Sequence, residues 1–214
     1  MAIGAATTCL LGVLMAVLRQ EPDYYRERMP AGDGGAARAR RFITEVAGLQ
    51  AAIARPGRWD AAFEEREINA WLATDLPANH ARLLPTGVAE PRVRFVPGRI
   101  DLAVRVGPRL ASAVLHLAVQ VHLRGESQLA FVLDEARLGL LPLPRDAVLA
   151  EVGRRLGRLG GVTSLRRLDG RSVLVVYIPA THGGDGMGRW LGSLAVVEGS
   201  LLVAGETRAG AAPR

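Results

Sequence analysis

Chemistry in this chain has to be built from four histidines, one cysteine and 27 basic residues, every one of them arginine. Without lysine there is no P-loop lysine, no Schiff base and no lysine general base. His116 and His122 fall on one side of an alternating segment, but six residues apart. At 3.3 Å per residue that is about 20 Å, too far to share a metal. His80 and His182 fall in loops outside any metal-ligand spacing. Cys9 lies in an apolar N-terminal run, which leaves the rest of the chain without a disulfide or a thiolate metal site. No Gly-x-Ser-x-Gly elbow occurs, and no acid, base and nucleophile converge in any motif. The residues point away from an enzyme and imply no cofactor or metal.

The Gly-rich element runs from Thr181 to Arg189. A phosphate cradle needs a strand before it, a helix N-terminus after it and usually a lysine. Only the strand is present, so the element reads as a hairpin connection or, beside Trp190, as the lip of a groove. The net charge of +6 would favour an anionic partner. The signs are interspersed and aromatics make up only 5%, which argues against nucleic acid.

The elements that must position these residues begin with Ala2 to Leu18, an uncharged run about 25 Å long as a helix. It lacks a small-x-small cleavage site, so it reads as a single-span anchor rather than a removed signal peptide. Arg19, Arg26 and Arg28 follow it, and on charge alone the domain would lie on the cytoplasmic side. An upstream start carrying basic residues would reverse that. Residues 19–41 read as a juxtamembrane linker with Tyr24 and Tyr25 as interfacial anchors. Helices are predicted over 42–55, 64–76 (stopped by Pro77) and 145–159. Residues 92–143 alternate as consecutive antiparallel strands, the longest over 110–123, with a bulge at Asp134–Glu135 where the alternation changes phase. Two further hairpins turn at Asp169–Gly170 and Glu198–Gly199, and 207–214 form a tail. The fold class is α+β: an N-terminal transmembrane helix over 1–18, then a long curled antiparallel sheet packed on about three helices in a domain spanning 42–206.

Two surfaces are candidate sites. Leu115, Leu117, Val119 and Val121, continued by Leu129, Phe131 and Leu133, form an apolar sheet face. It is either core covered by helices or the lining of a lipid-sized groove. Arg145, Arg154, Arg155 and Arg158, with Arg166 and Arg167 nearby, are either a solvated helix face or contacts to lipid phosphates.

Phe63 to Ala73, with Asn69, Trp71 and Leu72, is similar to the "T-x-x-Q-(I/L)-N-x-x-L" helix of small anchored bacterial proteins. Pro91 to Phe95 with Gly98 to Leu102 looks like their first hairpin, and Gly139 to Pro144 like their "G-x-(L/I)-P-(L/I)-P" element. Together these resemble the YpmS-like family over residues 42–206 and, more distantly, YceB-like lipoproteins and tubular BPI-like lipid-binding modules. Here Phe63 stands where the family has its Ser/Thr cap, and Glu67 where it has Gln. The resemblance implies a curled sheet cradling a helix, a single-pass protein of the cytoplasmic membrane with its domain on the extracytoplasmic side, and a structural Asn69. The expected function is non-enzymatic binding of a lipid or other apolar molecule at the membrane surface. The alternative is a structural or interaction module of a membrane-associated complex, with a closed core and no small ligand, that binds a protein partner through the outer strand face or the Arg-rich helix.

Overall fold

The computed structural model describes residues 17–27, 33–108, 112–125, 128–158, 160–168, 170–178 and 187–209. Of these residues 49% are in sheet and 34% in helix, and every strand pair among them is antiparallel. In chain order the elements are α1 (Asp23–Arg26), α2 (Asp33–Ile53), β1 (Gly57–Glu64), α3 (Glu65–Asn79) and a 3-10 turn (Ala81–Leu83). There follow β2 (Val88–Val96), β3 (Arg99–Val106), β4 (Ala113–Leu123), β5 (Gln128–Leu138), β6 (Leu141–Pro142) and α4 (Arg145–Arg158). The chain ends in β7 (Val162–Leu168), β8 (Arg171–Tyr177), β9 (Met187–Val197) and β10 (Ser200–Ala209).

Two sheets result. A seven-stranded one runs β2-β3-β4-β5-β8-β7 with β6 beside β5, and a three-stranded one runs β1-β10-β9. A Pro97–Gly98 turn joins β2 to β3, with Gly98 at φ +75, a conformation side chains resist. The bulge foreseen at Asp134–Glu135 is present. Ala118 faces Glu135 and Val119 faces Leu133, which leaves Asp134 as the extra residue. That single insertion lets Phe131, Leu133 and Ala136 all pack toward α4 despite their change of phase. The sheets meet at their turns: the Gly98 amide donates to the Val196 carbonyl (2.9 Å) and the Gly199 amide to the Phe95 carbonyl (3.1 Å).

Helix α4 lies on β5, β8 and β7, where Leu149 and its neighbours close on Leu133, Ala136 and Leu174. Helices α2 and α3 pack on each other, and α2 covers β1. Phe42 meets Phe63 and Trp71 with ring centroids 5.9 and 5.5 Å apart. The last carbonyl of α2, on Ile53, accepts from the Thr207 hydroxyl (2.9 Å) and Arg189 Nε (3.3 Å), which satisfies a helix end and opposes its dipole.

Several expectations are corrected. Among the described residues no helix is long and apolar enough to cross a membrane, so the transmembrane anchor and the single-pass membrane localisation built on it are not supported. Residues 2–16 of the expected span lie outside the described residues. Val17 and Leu18 dock on the sheet instead. The Leu140 amide donates to the Val17 carbonyl at 3.1 Å, and Gly139, at φ +61, leaves the room this requires. Tyr25 is not an interfacial anchor: it is 3% exposed, against Ala103 and Val114. No sheet is strongly curled, so the helix-cradling tube is also corrected. Helix α2 begins at Asp33, inside the stretch read as linker. Helix α3 runs through Pro77 to Asn79, and Pro77 lacks the amide that would reach the Ala73 carbonyl. Thr207, placed in the tail, is 1% exposed within β10. The Gly-rich loop lies outside the described residues except for Met187, Gly188 and Arg189, which belong to β9.

Candidate functional site

The apolar face of β4 and β5 opens into a pocket of about 210 Å³ between the sheet and α4. Leu117, Val119, Val121, Phe131 and Leu133 line it, as read from the alternation. Leu115 and Leu129 lie on the same strands outside its lining. The remaining walls were missed as site residues: Ile100 and Leu102 from β3, Leu174 from β8, and Val148, Leu149, Val152 and Leu156 from α4. Their signal was present in the i, i+4 stripe of α4 and the alternation of β3, but strand order decides which stripe meets which face. Every lining side chain is a hydrocarbon, so the pocket offers dispersion and dehydration but no hydrogen bond. Apolar cavities of about 150 Å³ stay dry and take up molecules the size of benzene.

The arginines of α4 do not converge. Arg154 and Arg155 both reach Glu151, at 2.5 and 2.7 Å, and Arg145 donates to the Asp134 carbonyl at 3.0 Å. Arg158 is exposed. Arg167 lies 3.6 Å from Asp146, and Arg166 donates to the Tyr177 hydroxyl at 2.8 Å. The helix motif is structural. Asn69 bonds the backbone of Val93, Trp71 Nε1 donates to Asp75 at 2.9 Å, and Leu72 is half-buried beside the loop before β2.

A polar cluster missed by alternation lies on the opposite face of the large sheet. Arg99, Asp101 and Arg105 share the polar side of β3, yet Asp101 is 1% exposed. Its carboxylate is held by Arg94 at 2.7 Å and Arg99 at 2.9 Å. His116 is 6% exposed, with the Tyr24 ring edge-on at 6.0 Å. Burial pushes the His116 imidazole below its ordinary pKa, with Asp101 pulling the other way. Burial likewise pushes the Tyr24 phenol well up, and the Tyr25 phenol up to about 12. His116 Nδ1 and the Tyr24 oxygen are both shielded from solvent and without a hydrogen-bond partner. His122 is exposed and contacts Gln120 at 3.2 Å.

No protein-family model, no curated protein and no solved structure matches the chain. Nothing in these comparisons bears on the resemblance to the YpmS-like family. Function therefore has to be argued from the geometry alone.

One further feature is a weaker candidate. A cleft of about 450 Å³ gathers Arg38, Arg66, Arg92 and Arg94, but Glu27, Glu65 and Glu198 share it and Arg94 is committed to Asp101. Little charge remains to select an anion. Among the described residues, no group of three histidine, cysteine or acidic side chains could hold a metal ion.

Proposed function

We propose that this chain is a non-enzymatic binding protein that takes a small apolar molecule, or one end of an acyl chain, into the pocket between α4 and the β3–β5 face. The observation that carries this reading is the pocket's composition: about 210 Å³ walled by aliphatic side chains and Phe131 alone. Such a space rewards an apolar guest and rejects water. The resemblance to the YpmS-like family belongs to the same proposal and would give the guest a lipid source.

Native mass spectrometry of the full chain, followed by organic extraction, tests it. A bound apolar species is expected, and Leu117→Gln should lower its occupancy while the circular dichroism spectrum is kept. Filling the pocket with Val148→Phe should expel the guest without introducing a polar group. A clean apo mass, or a guest retained in the folded Val148→Phe protein, would overturn the reading.

One observation favours a second reading, an interaction module without a small ligand. Leu133, Leu149 and Leu174 line the pocket and also form the buried core under α4. In that case Val148→Phe would stabilise the protein by filling a packing defect, and no guest would be found.

A further inference from the structure

The large sheet has two edges, and the fold treats them differently. At β2, Asn69 and Glu65 from α3 bond the outward backbone groups of Val93 and Phe95. At β7, among the described residues, nothing pairs on the outer side. The strand reads VTSLRRL, without proline, and exposes Val162 at 57% and Leu165 at 48%. An exposed apolar edge of this kind is a template for another strand.

We propose that β7 pairs antiparallel with β7 of a second copy about a two-fold axis at Leu165, joining two large sheets into one. A two-fold axis perpendicular to the sheet keeps each face on its own side, so opposite residues must share a face and the axis must pass between a residue and its own copy. With the axis at Leu165, that residue meets its counterpart, Val162 meets Leu168, Ser164 meets Arg166 and Thr163 meets Arg167. Apolar side chains face apolar ones and each arginine faces a hydroxyl. Moving the axis to Arg166 sets two arginines directly opposite, and moving it to Ser164 sets Val162 against Arg166; both mismatches are unfavourable. The strand's own charges are already drawn back toward the parent domain, Arg166 onto Tyr177 of β8 and Arg167 toward Asp146 of α4. The outward backbone is left for a partner, and the partner that matches this register is the same strand.

The test is register-specific crosslinking of the full chain carrying Cys9→Ser. Under mild oxidation Leu165→Cys should form a disulfide dimer, because that residue faces itself. Val162→Cys alone should not, whereas mixing it with Leu168→Cys should. In sedimentation experiments the wild-type chain should dimerise with rising concentration. Leu165→Arg should weaken that by about tenfold or more, since it places like charges opposite each other. A monomeric wild-type chain, or Val162→Cys crosslinking to itself as readily as Leu165→Cys, would overturn the proposal.

Discussion

Asn69 is clamped to Val93 by two hydrogen bonds: its Nδ2 donates to the Val93 carbonyl at 2.7 Å, and its Oδ1 accepts from the Val93 amide at 2.9 Å. The side-chain amide thus takes the place of a neighbouring strand. One turn earlier, Glu65 accepts from the Phe95 amide at 2.7 Å. Residues four apart on α3 match residues two apart on β2, because the helix rises about 6 Å over the first interval and the strand about 6.6 Å over the second. Asn69→Ala should lower stability by about 1–3 kcal/mol in urea denaturation, since it strands a donor and an acceptor on a partly buried backbone. Asn69→Asp, which loses the donor and keeps an acceptor, should not restore it.

Asp101 is almost fully buried, while its partners Arg94 and Arg99 remain 39% exposed. Removing the carboxylate would leave two guanidinium groups that water can partly rescue. Asp101→Asn is therefore expected to cost about 1–3 kcal/mol, less than severing a fully buried pair. Equilibrium unfolding of both proteins checks it, and an unchanged midpoint would refute it.

His116 supplies a pH dependence with a definite sign. Its folded pKa is lowered by burial. As pH falls below the ordinary value near 6.5, the unfolded chain takes up a proton that the folded chain refuses. The contribution of the neutral ring is complete above that value. It is lost as pH falls toward the lowered folded pKa, with a slope of at most about 1.4 kcal/mol per pH unit. Charged or titratable Asp101, Arg94, Glu135, Arg137 and Tyr24 surround the ring and set where the loss ends. His116→Asn should flatten the difference in stability between pH 7.5 and 5.5, and an identical dependence in the variant would exclude the histidine as its source.

Gly139 is held at φ +61, and a Cβ there would stand 2.4 Å from the Val17 carbonyl oxygen. Gly139→Ala should lift residues 17–20 from the sheet while leaving the Asn69 clamp in place. Trypsin cleavage after Arg19 is expected to accelerate more than cleavage within the sheets. Equal acceleration everywhere would mean global unfolding instead.

Much of this architecture is legible in local pattern. The alternation of β3 to β5, the stripe of α4 and the turns at Gly98, Gly170 and Gly199 each depend on neighbours a few residues away. The Asp134 bulge is legible for the same reason. What escapes is non-local. Tyr24 and Tyr25 look like interfacial aromatics until the sheet that buries them is assembled. The polar row of Asp101 and His116 looks solvent-facing, although residues 17–27 and the two arginines enclose it. Uncharged length alone suggests a membrane span over 2–18, yet the Val17 carbonyl in its last turn accepts from Leu140, in the turn between β5 and β6. Of the pocket, alternation supplies the strand wall. The helix and β8 walls depend on strand order, which no local period encodes.

The pairing of β1 with β10 carries a consequence for synthesis. Glu64 faces Ser200, about 136 residues later in the chain. At roughly 5–20 residues per second, β1 waits on the order of 7–30 s for β10, its only strand neighbour among the described residues, to leave the ribosome. During that interval α2 and α3 can fold over one face of β1, but its lengthwise backbone groups have only water to bind. The nascent protein therefore passes through a stage in which β1 is an open template, and translation speed between Glu64 and Ser200 governs how long that stage lasts.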